Sequence, residues 1–250
     1  MTMKYTLNQD RELSTQIAEA IREAIMDGTL MVNERLPSEN ELCERFEVSR
    51  STVREALNRL AAQNLIRTQR GAYGGAFIKK VSFEDAYPNQ MTTSSLLLSM
   101  NEVSFETACE ARFAAERACI PLSAKRCSAD QMATMRAEIH RQGQEGLSDE
   151  SFCTSDITFH KALIEGAGNP VLNFQSASAI ESMQSLMNMI TYSARDRAVI
   201  IELHTGIADA IEVGDAQKAE AELTKLADYT ITLADQVREQ RAAKKTKKAN

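Results

Sequence analysis

The sequence VSRSTVREALNRLAAQNLIRTQRGAYGG, residues 48–75, decides how the first third of this chain folds. It carries five arginines and a single acid, Glu55, although the whole chain has a formal net charge of −6. Residues 1–80 hold 12 basic and 11 acidic side chains, whereas residues 81–240 hold 12 and 24. Such asymmetry indicates a nucleic-acid-binding module joined to a second domain. Solvated helix faces also carry runs of charge, so charge alone leaves both interpretations open.

The spacing of apolar and capping residues predicts short helices in this region. Ile17, Ile21 and Ile25 recur every four residues, as on one face of an amphipathic helix. Ser38 with a glutamate three residues later matches the capping box that begins a second helix. Ser49 can cap a third helix that starts one residue later. Two short helices joined by a tight turn are typical of a helix-turn-helix.

The third helix and the residues after it place positive charge on one side. Arg50, Arg54 and Asn58 are spaced by four residues and therefore share a helix face. Residues 65–68 and 76–78 have strand character and flank a glycine-rich turn, so a β-hairpin, or wing, is predicted there. A helix fits the major groove of DNA, about 12 Å wide, and a basic wing can reach the minor groove.

The rest of the chain is predicted to be helical. Residues 81–95 lose apolar periodicity and are assigned to a linker between a DNA-binding domain at 1–80 and an all-helical domain at 96–240. The last ten residues, 241–250, are basic and are predicted to form a disordered tail. Pro121 is expected to kink the first helix of the bundle. The predicted helices of the bundle span 102–127, 129–142, 149–166, 170–191, 196–213 and 215–240.

Composition favours a cytoplasmic protein without a membrane segment. The five cysteines are scattered and show no CxxC spacing, which is typical of free thiols in a reducing compartment. No window approaches the roughly 18 consecutive apolar residues of a membrane span. The N-terminal residues lack the apolar core of a signal peptide.

Four side chains of the helical half are candidates for binding. Arg112 projects from a face of small residues and needs an anionic partner, either a ligand or an acid such as Glu116. Asp156 and His160 stand four residues apart on one helix face and could share a metal or a polar ligand. His204 lies on the apolar stripe of its helix. A hydrogen-bonded core histidine is the alternative interpretation for His204.

The segment RLPSENELCERFEVSRSTVREALNRLAAQNLI resembles the DNA-binding signature of the GntR family of bacterial transcription regulators, and the likeness covers residues 10–80. It implies a winged helix-turn-helix whose third helix and wing tip contact an operator in double-stranded DNA. Two positions depart from the family pattern: Asn40 stands where an arginine is frequent, and Glu47 where many members have glycine. The DNA contacts expected from the pattern and the resemblance are Ser49, Arg50, Ser51, Thr52, Arg54, Asn58, Arg70 and Gly71.

The segments EARFAAERACIPLSAKR, DITFHKALIEGAGNP and HTGIADAIEVGDAQKAEAEL are similar to the FCD effector domain of the FadR-like branch of that family. The resemblance implies a homodimer, a small acidic metabolite as effector and, in many members, a divalent metal such as zinc. It places metal ligands at Asp156, His160 and His204, whereas Leu226 stands where a further histidine would lie. A zinc or nickel site that is weak or absent is therefore expected. The effector-binding residues implied are Arg112, Asp156, His160, Asn169 and His204.

These features together predict a mostly α protein with a winged helix-turn-helix followed by a helical bundle. The expected function is a metabolite-responsive repressor that leaves its operator when a small carboxylate or sugar acid binds. Two alternatives remain: a metal-dependent enzyme that acts on small acids, and an architectural DNA-binding protein without a ligand. No nucleophile–base motif or glycine-rich cofactor loop accompanies Asp156, His160 and His204, so the sequence favours a regulator over an enzyme.

Overall fold

The computed structural model of the chain divides into two compact units, Met1–Ala86 and Tyr87–Asn250. It describes residues 7–8, 10–71, 74–100, 103–184, 187 and 194–249, apart from the side chains of residues 241 and 244–249. These residues contain ten helices and one two-stranded sheet, which confirms the predicted mostly α architecture. Within the same ranges, none of the helices combines the length and apolar character that crossing a bilayer requires.

The first unit contains three helices around one apolar core. Helix α1 spans Leu13–Met26, α2 spans Glu39–Phe46 and α3 spans Arg50–Ala62. The core residues follow the predicted four-residue spacing, and Ile17 and Ile21 of α1 are completely buried. The core is completed by Leu30, Leu36, Leu42, Phe46, Val53, Ala56, Leu60, Ile66 and Ile78.

Helices α2 and α3 begin at the predicted caps. The backbone N–H of Ser38 donates to Glu41 Oε2 at 2.7 Å, and Ser38 Oγ accepts from the Glu41 N–H, so the capping box is present. Ser49 Oγ accepts the backbone N–H of Thr52 at the start of α3. Only three residues separate the two helices, and Glu47, the first of them, has a φ of 53°. Glycine adopts this left-handed conformation without strain, so a glycine would fit the backbone at this position. The predicted helix-turn-helix is confirmed.

The wing is a hairpin of β1, Ile66–Gln69, and β2, Gly75–Ile78. The strands are antiparallel, with Ile66 opposite Ile78 and Gln69 opposite Gly75. Both isoleucines are buried in the core of the first unit, which fixes the register because a slip of one residue would expose them. Residues 72–73 of the connection lie outside the described residues. The predicted hairpin is confirmed.

The second unit is an all-helical bundle. Its helices are α5 Phe105–Arg126, α6 Ala129–Gln142, α7 Asp149–Glu165, α8 Pro170–Ser182, α9 Arg197–Glu212 and α10 Ala216–Ala249. These boundaries agree with the predicted ones to within three residues, except at the C-terminal ends of α8 and α10. The helices bury their apolar sides in a common core that contains Phe113 of α5, Phe159 of α7, Ile207 of α9 and Leu223 of α10.

Two segments differ from the sequence-based expectation. Helix α4, Phe83–Met100, covers most of the predicted linker 81–95 and contains the boundary between the units. It begins because Ser82 and Asp85 exchange hydrogen bonds that cap its first turn. Helix α10 continues to Ala249, so the backbone at 241–249 is helical rather than disordered. Lysine and alanine are good helix formers, and extending an existing helix costs less than starting one.

Two prolines lie inside helices, beyond the first turn. Pro121 lies within α5, which is continuous from Phe105 to Arg126. Pro88 lies near the start of α4. The predicted helix 170–191 is observed to Ser182, and residues 185–186 and 188–193 lie outside the described part of the chain.

Candidate functional site

The outer face of helix α3 carries the polar residues predicted to meet DNA. Ser49, Arg50, Arg54 and Asn58 are exposed, and the opposite face of the helix is buried in the core. The hydroxyl group of Ser49 lies 2.8 Å from those of Ser51 and Thr52. This turn of α3 therefore offers a cluster of donors and acceptors beside two cationic side chains, a combination that suits phosphates and base edges.

One arginine of this face, Arg54, forms an ion pair with the preceding helix. Arg54 Nε donates to Glu39 Oε2 at 2.9 Å, which links α3 to the first turn of α2. The bond occupies Nε and leaves the two Nη groups, the pair of donors that recognises guanine in bidentate contacts. Glu39 was not singled out from the sequence, because its partner lies 15 residues away on another helix.

The wing tip has the expected exposure. Arg70 and Gly71 are both exposed, and Gly71 has a φ of 109°, a conformation that favours glycine. An arginine at the end of a short hairpin can reach a groove or a phosphate, which is the role predicted for it.

In the second unit, three buried polar residues meet. Asp156 and His160 come from α7 and His204 comes from α9. One ligand atom from each lies within 4.8 Å of the others. The spacing of four residues on α7 brings the first two together, as predicted, but only the packing of α9 against the bundle brings His204 to them. A carboxylate with two imidazoles is a ligand set that zinc and nickel accept.

Each of the two histidine rings is oriented by a hydrogen bond at its Nδ1 atom. His160 Nδ1 lies 2.5 Å from Glu116 Oε2, and His204 Nδ1 lies 2.9 Å from Gln142 Oε1. Because these oxygens accept, each Nδ1 is the donor of its hydrogen bond, and Nε2 is the ring nitrogen left for the cluster. Both Nε2 atoms are buried and have no hydrogen-bond partner among the described residues, and His204 Nε2 lies 3.6 Å from Asp156 Oδ1. A second layer of acceptors behind Nδ1 is the usual support of metal-binding histidines, so the residues fit a metal ion.

Arg112 lies beside this cluster and is almost fully buried. Its Nε donates to Glu116 Oε1 at 2.7 Å, its Nη1 to Met187 Sδ at 3.0 Å, and its Nη2 lies 3.9 Å from Asp156 Oδ2. The ion pair with Glu116, the structural alternative considered from the sequence, is therefore present. A thioether is only a weak acceptor, so a carboxylate would be a much stronger partner for Nη1.

The surroundings of the cluster favour an ionised Asp156 and a neutral His204. Burial acts to raise the pKa of Asp156, but the interactions with the neighbouring His160 and His204, and with Arg112 and Arg195, together outweigh burial and lower that pKa. Burial lowers the pKa of His204 to about 3, so this imidazole stays neutral at physiological pH. An ionised carboxylate and a neutral histidine are the forms that bind a metal.

A cavity of about 20 Å³ opens beside the cluster. This volume holds about one water molecule or an ion, so a larger ligand requires side chains to move. Leu226, which stands where the family resemblance would place a histidine, belongs to the wall of this cavity. The remaining wall residues are Arg112, Phe113, Asp156, His160, Met187, Arg195, Ile200, Tyr229, Thr230 and Leu233.

The structure does not bring every predicted residue to this cavity. His204 belongs to the cluster with Asp156 and His160 but is absent from the cavity wall. Asn169 is also absent from the wall and instead caps α8, where its Oδ1 accepts the backbone N–H groups of Val171 and Leu172. Gln142 and Arg195 belong to the site but carry no local sequence signal. They become relevant only through contacts between helices far apart in the chain.

Comparison with protein families matches both units. Residues 13–78 match the family described as bacterial regulatory proteins, gntR family, and residues 107–228 match the FCD domain. The first match covers the helix-turn-helix and wing. The second contains Arg112, Asp156, His160 and His204.

Individual proteins match over most of their length. The galactonate operon transcriptional repressor of Escherichia coli (strain K12) is 28% identical over 228 residues, which is 90% of this chain and 96% of that protein. The HTH-type transcriptional regulator LutR of Bacillus subtilis (strain 168) is 28% identical over 202 residues, 79% of this chain and 90% of its own. The structure of Streptococcus agalactiae GntR has the same fold, with a TM-score of 0.52, 20% identity and coverage of 89% and 99% of the two chains.

The order of the two matched domains is the order of the two units, a winged helix-turn-helix followed by a helical bundle. The two named relatives align over 228 and 202 residues of this chain, which is more than either unit contains, so each alignment includes parts of both units. The chain belongs to the gntR family of bacterial regulatory proteins and carries an FCD domain.

Proposed function

We propose that this chain is a DNA-binding transcription regulator whose affinity for its operator is controlled by a small acidic metabolite. The single observation that carries the proposal is the presence, in one chain, of an exposed polar recognition face on α3 and a buried site around Arg112. The relative named for the galactonate operon is a repressor, which supports repression and a sugar acid or another small carboxylate as effector.

DNA binding is assigned to α3 and the wing. Arg50 and Arg54 would meet base edges or phosphates in the major groove, and Arg70 would meet the adjoining groove. The chain is proposed to act as a homodimer, so that two copies of α3 read the two halves of a pseudo-palindromic operator. Counterion release then makes the affinity fall steeply as salt rises.

Effector binding is assigned to the cavity beside Arg112. Its Nη1 faces the Met187 sulfur, and a carboxylate arriving there would replace a weak acceptor with a charged one. Regulation requires that the effector bind more tightly to the form of the protein that does not hold the operator. The cavity is small, so rearrangement of its walls on binding is part of the proposal.

A divalent metal would be held by Asp156, His160 and His204. When bound, zinc or nickel would supply positive charge and open coordination positions for oxygen atoms of the effector. The protein contributes the orientation of both imidazoles through Glu116 and Gln142. Because Leu226 stands where a further histidine would supply a nitrogen ligand, the metal site is expected to be weaker than one with three histidines.

Two other functions are separable by experiment. A metal-dependent enzyme would turn over small acids, so the absence of product in assays with zinc-loaded protein would argue against it. An architectural DNA-binding protein would show no stabilisation by any acid in a thermal-shift screen. The family assignment favours the regulator over both.

The proposed function is tested with the full-length protein. Genomic fragments bound by the protein are isolated, and the bound sequences should share a two-fold symmetric motif. Adding the acid that stabilises the protein should release the fragment, and Arg112→Lys should reduce both effects because the bidentate geometry is lost. Binding without sequence preference, or a complex that no acid weakens, would contradict the proposal.

A further inference from the structure

The segment that precedes helix α2 extends the wing by a third, strand-like edge. Residues 33–36 lie antiparallel to strand β2 and form three backbone hydrogen bonds with it, of 2.8 and 2.9 Å. Arg35 is paired with Phe77, which is itself opposite Arg67 of β1. Directly opposed residues of neighbouring strands point to the same face of a sheet. Arg35, Phe77 and Arg67 therefore form one row across the wing.

This row lies on the face of the wing that is turned away from the core. Ala76 and Ile78, on either side of Phe77 in β2, are buried. Because side chains alternate along a strand, the row occupies the outer face, where Arg35 and Arg67 are exposed. The guanidinium of Arg67 lies 5.0 Å from the centre of the Phe77 ring, a cation–π contact that holds it over the row.

The side chain of Arg35 extends along the wing toward its tip. A methyl group added to Gly75 would lie 2.7 Å from Arg35 Nε, too close for two packed atoms, so Arg35 occupies space that a glycine leaves free. Gly75 is opposite Gln69 in the last pair of the ladder before the tip. Arg70 follows Gln69 directly. The guanidinium of Arg35 therefore lies at the same end of the hairpin as Arg70.

The charges of this outer face are not offset by ion pairs. Among the residues that the structure describes, neither Arg35 nor Arg67 forms an ion pair with an acid, whereas Arg59 of the same unit pairs with two. Hydrogen bonds with Ser38 chiefly lower the pKa of Glu41 and hold its carboxylate at the start of α2, and the charge of Arg35 contributes less. Two guanidinium groups on an outer face suit the phosphates of a nucleic-acid backbone.

We infer that Arg35 and Arg67 bind DNA phosphates along the side of the wing, beside the groove that Arg70 enters. The inference rests on the proposed DNA-binding function and adds two contacts to those of α3 and the wing tip. Contacts to phosphates are favoured over stacking on a base, because the guanidinium of Arg67 covers the Phe77 ring. Phosphate contacts position the protein and add affinity without sequence preference.

The inference is tested by the dependence of DNA affinity on salt, measured with the full-length protein. The probes are a genomic fragment that the protein selects and a synthetic duplex of unrelated sequence. Each lost phosphate contact reduces the slope of log affinity against log salt by about 0.9. Arg35→Gln and Arg67→Gln should each show this decrease on both probes. As the salt falls from about 200 to about 50 mM, wild-type affinity should therefore rise about 3.5-fold more than that of either variant.

Two further variants separate a phosphate contact from other effects of the substitutions. Arg35→Lys keeps the positive charge and should keep most of the wild-type slope. Arg59→Gln is the matched control, because it removes a positive charge of the same unit that already pairs with acids, and its slope should match the wild type. Denaturant titration verifies that each variant is folded. A binding-site selection with Arg35→Gln and Arg67→Gln should return the wild-type base preference.

An unchanged slope in either folded variant, Arg35→Gln or Arg67→Gln, would overturn the inference and leave the proposed function intact. An equal decrease in Arg59→Gln would also overturn it, since the slope would then follow the net charge of the unit. A changed base preference in either wing variant would contradict the assignment to phosphates. If the wild type binds neither probe, the inference and the proposed function fail together.

Discussion

Glu116 and His160 are buried on different helices, and their Oε2 and Nδ1 atoms lie 2.5 Å apart. The other oxygen of Glu116 accepts from Arg112 at 2.7 Å. One carboxylate therefore orients a candidate metal ligand and also offsets the charge of the arginine proposed to receive the effector. Binding at either place depends on the same buried group, which links the two physically.

Replacing Glu116 should affect stability and metal binding together. Glu116→Gln would leave the buried charge of Arg112 without its partner and should lower the free energy of unfolding by about 3 kcal/mol. It should also weaken zinc binding, because His160 loses its strongest acceptor. Denaturant titration and zinc titration measure the two effects. Glu220→Gln, at a partly exposed pair with Arg117, should change stability by less than about 0.5 kcal/mol. Equal behaviour of the two variants would contradict the role given to Glu116.

The metal site should strengthen when the missing histidine is restored. Protein purified through a chelator should contain little metal and should take up zinc mainly when an acidic ligand is supplied with it. Leu226→His should raise zinc affinity because it adds a nitrogen at the cavity wall, whereas Leu226→Gln should not. Elemental analysis and competition with a zinc indicator give the measurement. One tightly held zinc per wild-type chain, purified without a chelating tag, would show that another residue completes the shell.

The stability of the metal-free protein should depend on pH through His204. Its pKa is about 3 in the folded protein, against about 6.5 when unfolded, so the unfolded state binds the proton more readily between these values. The free energy of unfolding is therefore highest above about pH 6.5. As the pH falls from there toward the folded pKa, protonation of His204 in the unfolded state lowers it by about 1.4 kcal/mol per pH unit. Denaturant titrations at pH 7 and pH 5 with EDTA measure it. His204→Gln should show a smaller decrease, while the exposed control His140→Gln should match the wild type. An unchanged pH dependence in His204→Gln would assign the effect to other groups.

The reading of DNA should depend on Arg54 more than on its neighbour Arg59. Arg54→Ala should cost about 1–3 kcal/mol in operator binding and relax the preference at one position of each half-site. Arg59 lies on the same helix but pairs with Glu12 and Glu55, so Arg59→Ala is the matched control and should keep the preference. A binding-site selection with each variant, and affinities at several salt concentrations, test this. An unchanged preference in Arg54→Ala would exclude base reading by this residue.

The sequence by itself determined the local structure of the first unit and most helices of the second. Ser38 and Ser49 began helices where predicted, because caps satisfy backbone groups within a few residues and need no distant partner. The pairing of Asp156 with His160 was also readable, since residues four apart share a helix face. The extended helix at the C-terminus was missed, because a basic composition describes charge and leaves helix propensity undecided.

Only the tertiary structure decided the composition of the buried site. Glu116, Gln142, Asp156 and His204 lie on four helices, and their contacts exist because apolar faces elsewhere on those helices pack together. Arg195 reached the cavity for the same reason, and Asn169 did not, because it serves as the cap of α8. Local patterns encode helix faces and caps. Which helix faces pack against each other depends on the total apolar area that the whole bundle buries. No short segment of the sequence determines that total.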